Sequence, residues 1–211
     1  MIGRTLFVLG MLALACAWFG PLPQLAQHAF FAHMAMHMTV VAIAAPLLAF
    51  GIAGSSLDPV RRWPALFPAV PISVLELVVV WAWHTPALHY AARHSFAGLA
   101  AEQGSFLLCG FLIWLAAFGG GAAYRSERAG AGIAALLLTS MHMTLLGALL
   151  ALAPRPLYTH AAQFADLTPL EDQHLGGAIM LIVGGVAYLA GGLWLTAGLV
   201  RDATRTREVA T

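Results

Sequence analysis

Six apolar stretches, each close to the roughly 20 residues that cross a bilayer as a helix, leave this chain room for little else. They run at about 4–20, 28–53, 70–92, 99–120, 130–153 and 174–200 of 211 residues. A backbone in lipid must satisfy its own hydrogen bonds, so such segments are helices and not open sheets. The expected fold class is an all-α integral membrane protein, a bundle of about six transmembrane helices forming one domain over 1–211. The longest connection, about 154–173, is too short for a separate catalytic module. With 9% charged residues and a net charge of +1, no basic patch points to nucleic acid. Cys16 and Cys109 form no C-x-x-C pattern and lie at different expected depths, which does not favour a disulfide. The first stretch has a second reading, because Arg4 followed by an apolar run to Cys16 has the form of a signal peptide over 1–20. Leu14 falls one position off a lipoprotein-type cleavage pattern, so a retained helix is expected.

Arginine sets the expected orientation; the chain has no lysine. Arg4, Arg61, Arg62, Arg125, Arg128, Arg201, Arg205 and Arg207 fall at one end of the bundle, and only Arg93 and Arg155 at the other. By the positive-inside rule both termini are then cytoplasmic. All nine histidines, His28, His33, His37, His84, His89, His94, His142, His160 and His174, fall on the opposite, outer side. Ionisable residues inside a membrane are costly and usually mark function.

Three constellations carry this signal. In His33-Met34-Ala35-Met36-His37-Met38 the two histidines are four apart and share a helical face, with Met36 close to it. Imidazole together with thioether suits copper, and thioether suits Cu(I) in particular. Methionine is also ordinary filler in apolar helices. In Trp81-Ala82-Trp83-His84-Thr85-Pro86-Ala87-Leu88-His89 the histidines are five apart, about 140° round an ideal helix. They share no face unless Pro86 reshapes the turn. Met141-His142-Met143 places the third set. Helical rise puts His142 ~16 Å, His37 ~13 Å and His84 ~12 Å below the outer surface, so the three are expected to converge on one site. Glu102 and Gln103 are read as opening the fourth helix, and Glu171, Asp172 and His174 the sixth. Acids at helix N-termini are explained by capping and the dipole. With His28, His94 and His160 they could also line a vestibule for a cation. Glu76, in the inner half, is expected to pair with the inner-loop arginines by snorkelling.

The His33-to-Met38 run, WAWHTPALHYA (81–91), MHMTLLGALLALAPRPLY (141–158) and DQHLGG (172–177) together resemble the CtaG family of caa3-type cytochrome oxidase assembly factors. The likeness covers most of the chain from the second helix to the sixth, and the last two stretches are its most specific. The family usually has a tryptophan after the sixth-helix methionine, where this chain has Leu181, and the chain is compact, one span shorter than expected of the family. The resemblance implies a role in maturing a haem–copper oxidase, with copper handled on the outer face of a bacterial inner membrane. It carries His33, His37, His84, His142 and His174 over as motif positions.

The expected metal set is therefore His33, His37, His84, His142, His89, His174, Met36 and Met143, holding copper as Cu(I). The expected partners are a haem–copper oxidase subunit, periplasmic copper chaperones and membrane lipid. Transfer by ligand exchange breaks no covalent bond, so the chain is expected not to be an enzyme and no catalytic residue is assigned. Two alternatives stand beside this reading. One is a haem-binding membrane protein with histidines as axial ligands. The other is a zinc-dependent intramembrane hydrolase, whose weak point is a base close to the deep histidines.

Overall fold

A computed structural model describes residues 2–121, 125–158 and 167–210. Among them no strand occurs, and six helices are long and apolar enough to cross a membrane: span 1 (Ile2–Phe19), span 2 (Phe30–Ile52), span 3 (Pro64–Trp83), span 4 (Phe96–Phe118), span 5 (Arg128–Ala151) and span 6 (Pro169–Arg201). The all-helical expectation holds. Spans 2, 4, 3, 5 and 6 pack in that order as a closed ring, and span 1 lies outside it against span 2. Span 1 accordingly leaves most of its apolar side chains uncovered, as a helix facing lipid does.

The ring closes tightly where side chains are absent. A Cβ on Gly177 of span 6 would lie 2.4 Å from the backbone nitrogen of Ala151, and one on Gly147 of span 5 would lie 2.5 Å from that of Leu181. Small residues at such crossings let membrane helices reach van der Waals contact along their backbones. Spans 2 and 6 each widen through a π-helical turn, at Thr39–Ala44 and Met180–Gly184. The first turn precedes Pro46, whose missing N–H would otherwise break the helical ladder.

Proline also decides the most consequential difference from the sequence reading. The third helix does not run on to residue 92. It stops at Trp83, and Pro86 begins a separate short helix, Pro86–His94. Thr85 is extended (φ −68°, ψ 142°), the conformation forced on a residue before proline. The break turns His84 and His89 toward two different levels of span 2.

At the arginine-rich end, Asp58 accepts from the backbone nitrogens of Gly54 (2.7 Å), Val60 (2.9 Å) and Gly120 (2.7 Å), clasping two loops together. The expected pairing of Glu76 with the arginines of this end is corrected by the structure. Glu76 is fully buried and accepts hydrogen bonds from Tyr188 Oη (2.6 Å) and Thr139 Oγ1 (3.1 Å). Its face of span 3 looks onto spans 5 and 6, so the carboxyl is satisfied inside the ring and has no reason to snorkel.

Candidate metal centre

Span 2 begins with a cap supplied by another helix. Asp172 of span 6 accepts from the backbone nitrogens of Phe30 (2.7 Å) and Phe31 (2.8 Å). These are orphan donors of a helix N-terminus, and a carboxylate is their best partner. The neighbours of Asp172 are equally occupied. Gln173 accepts from the backbone of Leu157 (2.6 Å) and donates to Leu150 (3.3 Å). His174 Nε2 meets the carbonyl of Ala153 (2.9 Å), and Gly176 lies against Phe30 and Met34. Glu171 completes a capping box with Thr168. The DQHLGG stretch is thus a clasp that joins the starts of spans 2 and 6 to the loop after span 5. His174, expected among the metal ligands, is engaged by that clasp.

His33 stands one turn inside span 2 and is buried, as are His89 and Glu102. His89 comes from the short helix after Pro86, and Glu102 from span 4. One ligand atom from each lies within 4.8 Å of the others, the single such group of three among the described residues. His33 Nε2 is 3.4 Å from Glu102 Oε1, and the rings of His33 and His89 meet edge-on with centroids 5.0 Å apart. Tyr158 walls the group, 4.4 Å from the His89 ring and stacked on Phe30, while its hydroxyl donates to the His84 carbonyl (2.7 Å).

Arg93 closes the group. Its guanidinium lies 3.7 Å from Glu102 Oε2 and donates to His33 Nδ1 and to the carbonyl of Ala26. Burial draws Arg93 below the ordinary guanidinium value, and the Glu102 carboxylate opposes that shift. A guanidinium is a donor only, so His33 Nδ1 must accept. The proton of neutral His33 then sits on Nε2, facing Glu102. In this arrangement His33 cannot ligate a metal through Nε2, and release of Arg93 is what frees that nitrogen. Arg93 borders an open cavity of about 290 Å³ lined also by Pro23, Gln27, Met36 and Leu99.

A second pair lies deeper. His37 and His84 face each other with ring centroids 5.6 Å apart, and Phe106 covers the His37 ring at 3.9 Å. His84 Nδ1 meets the Val80 carbonyl at 2.6 Å, which makes it the protonated nitrogen and leaves Nε2 with its lone pair. That Nε2 and both ring nitrogens of His37 are buried without a hydrogen-bond partner. His142 is buried and its ring nitrogens are also unpartnered, but among the described residues it does not complete a group of three ligand atoms within 4.8 Å with this pair. The convergence expected of His37, His84 and His142 is thus met by the first two. Met143 packs with Met38 beside Gly184, and Met36 lines the cavity next to Arg93. Among the described residues the polar mouth expected as a vestibule is divided among separate contacts. His94 stacks on Tyr90 and meets its carbonyl (2.8 Å), His28 is exposed, and His160 lies outside the described residues.

Glu102 and Arg93 are the residues that the sequence reading leaves out of the ligand set. Span 4 opens at Phe96, capped by the Ser95 hydroxyl (2.9 Å to Gly98 N), so Glu102 stands well inside the helix and not at its mouth. The Ser95-x-x-Gly98 cap is legible in the sequence, and it removes the capping explanation for Glu102. Arg93 is legible as an outlier, one of the two arginines on the histidine side.

A multi-pass helical membrane protein with an imidazole–carboxylate group buried at one end of its ring is the class that this fold and site define. Within that class the chain belongs to the cytochrome c oxidase caa3 assembly factor family, Caa3_CtaG, whose model matches residues 2–202. Its partner in that role is a cytochrome c oxidase. Comparison with curated proteins gives no match, and neither does comparison with solved structures.

Proposed function

We propose that this assembly factor binds copper at His33, His89 and Glu102 and hands it to the oxidase by ligand exchange. The observation that carries the reading is the buried group itself: two imidazoles and a carboxylate from three helices, drawn within ligand distance of one another. Burying such groups without a cation is costly, and Arg93 supplies the positive charge in the metal's absence. Copper entering from the cavity beside Met36 displaces the guanidinium, the His33 proton moves to Nδ1, and Nε2 takes the metal. Outward placement of this end, toward the periplasm of a bacterial inner membrane, follows from the arginine asymmetry and is part of the proposal. So is delivery to the site by a periplasmic chaperone.

The test is metal analysis of detergent-purified protein after loading with copper, beside oxidase content in cells. Wild type is expected to retain copper, and Glu102→Gln and His33→Ala to lose it at this group. Oxidase from cells carrying either variant should contain haem but lack copper. Full copper retention and full oxidase activity in both variants would sink the reading. The same analysis addresses zinc, since two histidines and one carboxylate are also a catalytic zinc set. Zinc as the retained metal, with hydrolysis of an acyl substrate, would favour the hydrolase. A haem finds no slot between rings that meet edge-on at 5.0 Å.

A further inference from the structure

We infer that His37 and His84 form a second metal site, one helical turn deeper than the first, which holds a single Cu(I) ion between two imidazoles. The inference rests on the copper reading above and deepens it into two stations of unlike chemistry. Three buried ring nitrogens without partners meet at this point, two on His37 and Nε2 of His84. Unpaired buried polar atoms are rare and call for an occupant. The tautomer of His84 is already set for ligation, with Nδ1–H held on the Val80 carbonyl and the Nε2 lone pair free. The ring centroids are 5.6 Å apart. Two metal–nitrogen bonds of ~2.0 Å in line, plus the ring radii, require about 6 Å, a fit within a small rotamer adjustment.

The donor set chooses the ion. Among the described residues no third His, Cys, Asp or Glu atom joins the pair. Zinc takes four ligands in structural sites and three plus water in catalytic ones, and Phe106 covers the His37 ring where water would approach. Cu(I) is a closed-shell ion stable with two ligands in line. Charge acts in the same direction. Solvation cost scales as charge squared, so a monovalent ion between neutral rings costs about a quarter of what a divalent one would. The upper group differs because Glu102 can neutralise charge there. A carboxylate is a poor partner for soft Cu(I) and imidazole a better one, so Cu(I) moves from the upper group to the lower. His33 and His37, one turn apart on span 2, are the donors that exchange it. Copper stays Cu(I) throughout, both deep imidazoles stay neutral, and no electron is transferred.

Silver(I), which is not reduced or oxidised under these conditions, and zinc(II) are the probes, applied separately to the full chain purified in detergent. Wild type is expected to bind two equivalents of silver and one of zinc. His89→Gln should lose the zinc and keep one silver, because it leaves the upper group a single imidazole. His84→Gln and His37→Asn should keep the zinc and lose one silver, and retained zinc together with an unchanged melting temperature shows that they are folded. X-ray absorption of His89→Gln loaded with Cu(I) should show two nitrogen ligands in line. Two silver equivalents retained by folded His84→Gln and His37→Asn would overturn the deep site, as would a wild type that binds only one silver, lost in His89→Gln. Loss of one silver in the deep variants of a chain that binds no zinc would keep the deep site and remove the upper one. A chain that binds neither ion loses both.

Discussion

Replacing Arg93 with Gln is expected to tighten copper binding by roughly a hundredfold. Two unit charges about 4 Å apart repel by ~4 kcal/mol at an effective dielectric of 20, and Arg93 stands 3.7 Å from a proposed ligand, Glu102. The wild-type guanidinium can retreat toward the cavity, so about 3 kcal/mol of that repulsion is taken as recoverable, near two powers of ten. The amide of the introduced glutamine can still donate to the Ala26 carbonyl, so the loop before span 2 keeps its contact. The metal-free variant, by contrast, loses stability, because Glu102 is left buried without its counter-charge. Competition titration against a Cu(I) chelator measures the first effect, and melting temperature with and without metal the second. A variant with weaker binding and an intact fold would show that Arg93 orients the ligands and does not compete with the metal.

Asp172→Ala is expected to lower stability by about 3–5 kcal/mol. It removes two charge-assisted hydrogen bonds, to Phe30 N and Phe31 N, each worth roughly 1.5–3 kcal/mol. Water has poor access to the Phe30 donor, because Phe30 is packed under Tyr158 and Gly176. Asp172→Asn, which keeps one good acceptor, should cost about half as much. Span 2 carries both His33 and His37, so fraying of its first turn displaces the upper group before the lower. Metal binding at the His33 group should therefore weaken more than silver binding at His37 and His84. Thermal unfolding in detergent and the two titrations check this, and equal stability of Asp172→Ala and wild type would refute the clasp.

The arginine in this site also explains why charge and function are hard to separate in the sequence. A capping role for Asp172 is expected, and the residue does cap a helix, but the helix is span 2 and not its own. Glu102 receives the same role in the sequence because the start of the fourth helix is read several residues late, past the Ser95 cap. Glu76 is directed toward the arginines because depth along a helix is legible and the face it presents is not. In each case the residue type is right and a partner lies on a different helix: Phe30 for Asp172, Thr139 for Glu76, and His33 and Arg93 for Glu102.

What the sequence determined by itself is what depends on local composition and length. It set six spans, their helical state, the gathering of histidines at one end and the family motifs, because lipid imposes intrasegment hydrogen bonding and a fixed crossing length. It also placed His33 and His37 on one face, since that follows from helical period alone. Which histidines meet was decided only by the tertiary structure. The proline break at Thr85–Pro86 aims His89 at His33 and His84 at His37, and the ring order of the spans brings Glu102 and Arg93 to the first pair, while among the described residues His142 completes no close group of three with the second. A ligand group is assembled by side chains from separate helices. Their rotations depend on close glycine contacts and on a single kink, and hydropathy along the chain carries neither.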